Sequence, residues 1–254
     1  MGWSPLRLYW TMRDVIAPGL RYSQNVYEEK LCRTVAAQTH WLDVGCGHQV
    51  LSEWRLDAER DLVSRAAYCA GVDPDAAAIN KHRTISNIHV GTVEALPFPP
   101  SRFDLVTANM VVEHLSDPAG ALAEIFRVLR PGGMFLFHTP NEKGYIVAVA
   151  KLLPHSVSRV AARLLDGRKE EDVYPTYYRC NSEGAITEAA RASGFEVELI
   201  QHIPTAAVFV RVPPIACIEL LWIRATMREG MSSRRTNIIA VLRKPGVPVP
   251  PSGG

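Results

Sequence analysis

The sequence predicts an α/β domain built on a parallel sheet with crossover helices, and three observations carry that prediction. Between about residues 40 and 140, short β-rich apolar runs alternate with segments of helical period. The 254 residues, 47% hydrophobic and 21% charged, suffice for one substantial core and not for several. The first apolar run ends in two alternate glycines, Gly45 and Gly47, just before a helical pattern.

Five strands are expected in this region, at His40 to Val44, Ala67 to Val72, Asn87 to Val90, Phe103 to Ala108 and Met134 to His138. Helices are expected between them at Val50 to Ser64, Pro74 to Arg83 and Pro118 to Leu129. In the last, Leu122, Ile125, Phe126 and Leu129 recur at helical spacing, and Pro131-Gly132-Gly133 then stops it. After residue 141 the alternation lapses. It resumes as a helix from Ser182 to Ser193 with Gly194 as C-cap, a strand from Phe195 to Ile200 and a strand from Asn237 to Arg243. The chain 1–254 thus reads as one domain with a ligand-binding core at 40–140, an aromatic N-terminal lid segment at 1–39, and insertions at 141–181 and 201–236. Residues 245–254, with four prolines, read as a frayed tail.

Composition excludes several classes. Twenty-eight Lys and Arg against 26 Asp and Glu leave a formal charge of +2, too little to steer the whole chain to nucleic acid. The five cysteines show no C-x-x-C spacing, which argues against a disulfide framework or a zinc site and for reducing surroundings. Ile203 to Ile223, the most apolar stretch, carries Arg211, Glu219 and three prolines, so no spanning helix is expected. Arg7, Arg13 and Asp14 break the apolar run of a secretory signal, and Leu6 stands where myristoylation needs Ser or Thr. A cytoplasmic protein is expected.

The most informative stretch is Trp41-Leu42-Asp43-Val44-Gly45-Cys46-Gly47-His48. Alternate glycines there let the backbone turn sharply and approach a ligand, while the following helix offers unpaired N–H donors. Asp73 ends the next strand, where a carboxylate can accept from ribose hydroxyls; the alternative is that it caps the helix starting at Pro74. A nicotinamide-dependent oxidoreductase would place a third glycine at position 50, which is Val50.

Leu42-Asp43-Val44-Gly45-Cys46-Gly47 is followed in order by Gly71-Val72-Asp73, Glu94-Ala95-Leu96-Pro97-Phe98 with Phe103-Asp104-Leu105-Val106, Val112-Glu113-His114-Leu115, and Arg127-Val128-Leu129-Arg130-Pro131-Gly132-Gly133. In these five motifs the chain resembles the class I S-adenosylmethionine-dependent methyltransferases, particularly the small-molecule enzymes of the ubiquinone-biosynthesis type. The resemblance implies a doubly wound, seven-stranded, mostly parallel sheet with an antiparallel final strand and helical insertions. It also implies that S-adenosyl-L-methionine binds across the carboxyl ends of the first strands. Asp43, Gly45 and Gly47 would surround its methionine end, Asp73 with Pro74 would hold the ribose, Thr92, Val93 and Glu94 would edge the adenine, and Asn109 would close the pocket near the sulfonium.

Departures from the family pattern fall at Gln49, where a third alternate glycine is common, and at Thr92, where an aspartate commonly faces the adenine. The interval from Asp43 to Asp73 is also long, which predicts an extra turn around Glu53 to Asp61. Methyl transfer asks mainly for alignment and, where needed, a base. His138 and His114 are the candidate catalytic residues, each against a structural alternative. Some relatives hold a divalent metal with the equivalents of Glu113 and His114 and an acidic residue three positions earlier; here that position is Met110, so no metal is expected. The segment Asn109-Met110-Val111-Val112 lacks the motif of DNA adenine methylation, and no nucleic-acid partner is expected.

Tyr174, Tyr177 and Tyr178, beside Arg179, would line an acceptor pocket or anchor their insertion. Ile146 to Leu165 interleaves apolar residues with Lys151, His155, Arg159 and Arg163, and Ile215 to Met227 is apolar before Arg228, Arg234 and Arg235. Such helices would cover a lipophilic acceptor, touch a membrane peripherally, or simply pack as lids. The expected function is methyl transfer to a small or lipid-linked acceptor, foremost at oxygen; the alternative is a catalytically silent cofactor-binding module of the same fold. The oligomeric state is not legible.

Overall fold

The computed structural model describes residues 5–152 and 174–246. Helices α1 (Pro5–Ile16) and α2 (Ser23–Thr34) precede a seven-stranded sheet. Its strands are β1 (His40–Val44), β2 (Tyr68–Asp73), β3 (Asn87–Val90), β4 (Phe103–Asn109), β5 (Leu129–Pro140), β6 (Glu196–Ile203) and β7 (Asn237–Arg243), in the order β3-β2-β1-β4-β5-β7-β6. Helices α3 (Leu56–Arg65), α4 (Ala76–Ile79) and α5 (Pro118–Val128) lie between consecutive core strands, and α6 (Tyr145–Leu152), α7 (Glu183–Ala192) and α8 (Pro213–Thr226) follow β5.

β1 pairs in parallel with β2 and β4, β2 with β3, and β4 with β5. β7 runs the other way: Gly132 N–H donates to Lys244 O at the start of β5, and Asn141 N–H to Thr236 O beyond its end. The order reverses between β1 and β4, and open α/β sheets bind ligands at such a switch point. Being central, β1 is buried through Trp41, Leu42 and Val44 rather than alternating.

Two arginines of the last sequence motif lace this sheet together. Arg127 donates to the carbonyls of Leu96 and Phe98 while pairing with Glu124, and Glu124 accepts from Leu96 N–H. Arg130 forks onto both oxygens of Asp104, which also accepts from His40 N–H.

Three elements differ from expectation, each for a local reason. The helix expected over Pro74 to Arg83 is only four residues long. Asp75 caps it through Ala77 and Ala78 N–H, and the chain then leaves it as His82 Nδ1 accepts from Thr84 and Ile85 N–H. The helix expected from Val50 becomes a 3-10 turn at Glu53–Arg55 followed by α3. Its first residues are held instead by buried Glu59, which accepts from Leu51 N–H, Arg83 and Thr84 Oγ1, and by Arg83, which donates to Leu51 O. These bonds absorb the long Asp43–Asp73 interval. β5 begins at Leu129 and runs through Pro131-Gly132-Gly133, because Gly132 at φ +79° turns within the strand instead of ending it.

The chain divides into two compact units. Unit 1 comprises Met1–Val26, Pro140–Thr176 and Gln201–Ile238, and unit 2 comprises Tyr27–Thr139, Tyr177–Ile200 and Ile239–Gly254. Unit 1 has its own core, in which Tyr9, Ala17 and Leu20 meet Ala207, Ala216, Leu220 and Ile223. The expected pattern over Ile146 to Leu165 is helical through Leu152; His155, Arg159 and Arg163 lie outside the described residues. Among the described residues no helix is long and apolar enough to cross a membrane.

Candidate active site

The expected cofactor-binding and catalytic residues lie in unit 2, at or just beyond the carboxyl ends of β1, β2, β3, β4 and β5. Tyr177 and Tyr178 also belong to unit 2, whereas Tyr174 lies in unit 1. After β1 the backbone reverses direction: Gly45 and Cys46 N–H both donate to Val72 O at 2.7 and 3.2 Å. Gly45 at φ +67° and Gly47 at φ +50° hold left-handed conformations that favour glycine. A Cβ on Gly45 would stand 2.3 Å from Val111 Cγ2, so this position is closed to any side chain, whereas no heavy atom lies within 4 Å of a Cβ on Gly47. Gly71 serves the same loop from β2, since a Cβ there would meet Cys46 Sγ at 2.7 Å.

Asp73 locks the loop. Its Oδ2 accepts from Gly47 N–H at 2.9 Å and its Oδ1 from Asp75 N–H at 2.8 Å. The helix cap is Asp75, not Asp73. Asp73 O also accepts from Gly91 N–H at 3.1 Å, which brings the turn with Thr92, Val93 and Glu94 to the same strand end. In that turn Val93 is buried, while Thr92 and Glu94 are exposed, as is Pro74 beside Asp73.

Asp43 is buried beneath the loop. Thr107 Oγ1 donates to its Oδ1, and Trp41 Nε1 donates to Thr107 Oγ1 at 2.7 Å. Burial, reinforced by the charges of Glu59 and Asp73, pushes the Asp43 carboxyl up to about 7 against the pull of the Thr107 bond. A carboxyl so placed gains its charge readily beside a cation.

His138 is 1% exposed at the end of β5, its Nδ1 2.9 Å from Asn109 Oδ1 and its ring stacked on Tyr27 at 5.7 Å between centroids. Burial pushes the imidazole down to about 4. Next to it Met110 holds φ +58°, uncommon for a residue with a side chain, and its N–H donates to His138 O at 2.8 Å. Backbone strain thus sits where β4 meets the site.

A third cluster surrounds Glu113. Its buried carboxylate accepts from Thr139 Oγ1 at 3.0 Å, and Asn181 Nδ2 donates to the same hydroxyl at 2.7 Å. His114 Nε2 lies 4.0 Å from Glu113 Oε1 and is partly exposed. Tyr177 and Tyr178 N–H both donate to Glu113 O, and Arg179 donates to Ser116 O while lying over the Tyr177 ring. Tyr177 therefore anchors its segment through its backbone and leaves its ring half exposed.

The structure fastens Gly45 to Val72 O and Gly47 to Asp73, holds Asp43 separately through Thr107 and Trp41, and pairs Asn109 with His138. It adds Trp41, Thr107, Thr139 and Asn181, and it stacks Tyr27, an aromatic of the expected N-terminal lid segment, on His138. Thr107 had a usable signal as the polar residue inside Phe103-Asp104-Leu105-Val106-Thr107-Ala108 on a buried strand. Asn181 lies 42 residues from Thr139 in sequence and had none. Gln49 Oε1 is buried without a hydrogen-bond partner at the position where the family often has glycine.

Residues 42–137 match the family model described as a methyltransferase domain. A protein of Mycolicibacterium smegmatis described as a probable S-adenosylmethionine-dependent methyltransferase is 31% identical over 160 residues, 62% of this chain and 52% of that protein. A ubiquinone biosynthesis O-methyltransferase of Pseudomonas fluorescens is 35% identical over 129 residues, 44% of this chain and 53% of that protein. The chain thus spans about half the length of the curated relatives it matches. A SAM-dependent methyltransferase from Methanosarcina mazei superposes with a TM-score of 0.55 over 85% of this chain and 96% of that one, at 14% identity, a likeness of fold. The segment 42–137 thus resembles a methyltransferase domain in sequence, and the seven-stranded sheet it helps to build shares the fold of solved S-adenosylmethionine-dependent methyltransferases.

Proposed function

We propose that unit 2 binds S-adenosyl-L-methionine and that the protein transfers its methyl group to a small-molecule acceptor, foremost at oxygen. The observation that carries this reading is the loop Gly45-Cys46-Gly47 fastened to Asp73 at the carboxyl ends of β1 and β2. The residues fit the group. Each oxygen of Asp73 takes one backbone N–H and keeps a lone pair for a ribose hydroxyl, and Gly47 leaves the space of a side chain open. Asp43 suits the ammonium of the methionine end, which would draw its carboxyl into the charged form. Pro74 and the Thr92-Val93-Glu94 turn would flank the ribose and adenine.

Bound there, the cofactor would supply an electrophilic sulfonium methyl for in-line transfer to the acceptor oxygen, with the thioether as leaving group. Asn109 would stand nearest that centre, held by His138. Buried and neutral, His138 is a poor proton acceptor and acts as a positioning residue. His114, partly exposed next to Glu113, is the better placed to receive the acceptor's proton. A lipid-linked acceptor belongs to the same reading.

Calorimetry with S-adenosyl-L-methionine and S-adenosylhomocysteine tests the first half: no binding of either sinks it. Asp73→Asn should weaken both by about 1–3 kcal/mol, the loss expected for charged hydrogen bonds, with the thermal midpoint read alongside. Unchanged affinity would remove Asp73 from the ribose. Methyl transfer to a panel of hydroxylated acceptors tests the second half. Cofactor binding without transfer to any of them would favour the catalytically silent module.

A further inference from the structure

A surface helix normally buries one apolar stripe and turns polar residues to water on the other side. α8 does only the first. Ala216, Leu220 and Ile223 enter the core of unit 1 with Tyr9, Ala17 and Leu20. On the other side, Ile215, Ile218, Leu221 and Trp222 are exposed, Ile218 at 70% and Leu221 at 54%. α1, whose Tyr9 shares that core, adds exposed Leu6 and Trp10. A contiguous apolar face of this kind marks an interaction site rather than ordinary surface.

The charges around it indicate the partner. Glu219, the sole carboxylate of α8, is buried, accepting from Tyr145 Oη and from Val208 and Phe209 N–H. The exposed ionic groups at its ends are mostly cations: Arg211 before the helix, Arg224 in its last turn and Arg228 just beyond, against the one exposed carboxylate of Glu229. The segment 201–236 carries five arginines against two glutamates. An indole and aliphatic face bracketed by guanidinium groups is the pattern of a helix lying in a bilayer interface. A second copy fits less well, because a two-fold pairing through α8 would set these cations against one another.

We propose that the exposed face of α8, with the neighbouring Leu6 and Trp10 of α1, docks on an anionic lipid bilayer. Ile215, Ile218, Leu221 and Trp222 enter the boundary between headgroups and acyl chains, and Arg211, Arg224 and Arg228 meet lipid phosphates. This surface stands apart from the methyl-transfer reading, and failure of either leaves the other intact.

The test is co-sedimentation of the full chain with vesicles of phosphatidylcholine alone and of phosphatidylcholine with about one-third phosphatidylglycerol. Wild type should sediment with the second and not the first, less so at high salt. Ile218→Asn with Leu221→Asn should lower partitioning about tenfold or more, and Arg211→Gln with Arg228→Gln should lower it less. All four side chains are exposed, so the variants should keep the wild-type thermal midpoint. Wild type remaining in the supernatant with both vesicles, or the asparagine pair binding like wild type, overturns the proposal. So does a dimeric mass without lipid that the asparagine pair converts to monomer, which would give the face to a second copy.

Discussion

The two units carry opposite charge and use it differently. Unit 1 holds fourteen basic and eight acidic residues, and unit 2 fourteen basic and eighteen acidic, so +6 and −4 stand behind the overall +2. In unit 2 the carboxylates of Asp43, Glu59, Asp73 and Glu113 are buried and bonded to backbone or hydroxyl donors, where they shape loops at strand ends. In unit 1 exposed arginines border an apolar face, and among the described residues the buried carboxylate is Glu219. A near-neutral total concealed both arrangements. Net charge describes partners only when it is taken unit by unit.

The contrast can be broken at either side. The largest effect is expected in unit 2, where Gly45→Ala forces a left-handed residue and a clash with Val111, at a cost of roughly 2–4 kcal/mol in chemical denaturation. A loss below about 1 kcal/mol would mean that the loop relaxes freely and is not the rigid element argued above. In unit 1, Glu219→Ala leaves two backbone N–H groups and the Tyr145 hydroxyl without their acceptor, at about 2–3 kcal/mol. Hydrogen exchange should then rise first over residues 207–209 and α8. Exchange rising first in β1 or β4 would deny Glu219 its local role.

The smallest effect is a cancellation. Between 6.5 and about 4, falling pH lets the unfolded chain take a proton that buried His138 refuses, so His138 lowers stability on the way down. Between 3.8 and about 7, rising pH ionises Asp43 in the unfolded chain while the folded carboxyl keeps its proton, so Asp43 lowers stability on the way up. The windows overlap, and these two groups together should leave stability nearly flat there. Asp43→Asn should make stability rise with pH across the window, and His138→Gln should make it fall. Denaturation curves with the same pH slope in wild type and both variants would refute the opposition.

The sequence was most legible where structure is local. β1, β3 and β7 fall at the expected residues, because short β-branched and aromatic runs bounded by turns leave little choice. The helix ahead of β5 was equally clear from its apolar spacing, and the structure adds Asp117 as its cap. Helix lengths near the site were not. What shortened α4 and delayed α3 was Arg83 reaching back to Leu51 and Glu59, a bond between residues 24 to 32 apart that no periodicity encodes. The same limit hid the site's supports. Asp43 and Asp73 stood out by motif, yet Thr107 is 64 residues from Asp43, and Asn181 is 42 from Thr139. The exposed side of α8 could not be foreseen either, since an apolar run reads alike whether one face or both are buried.

The core of unit 1 has a consequence for how the protein is made. Ribosomes release chains from the amino end, and β1 through β5 of unit 2 come from one continuous stretch, Tyr27–Thr139. They can assemble while the rest is still being translated. α1 cannot: Tyr9 Oη accepts from Ala207 N–H, Ile16 O from Arg224, and Ser23 Oγ from Asn237, separations of 198, 208 and 214 residues. A segment synthesised ahead of the sheet is therefore among the last to find its partners. Until then its apolar side chains stand open to chaperones, or to any other nascent chain nearby.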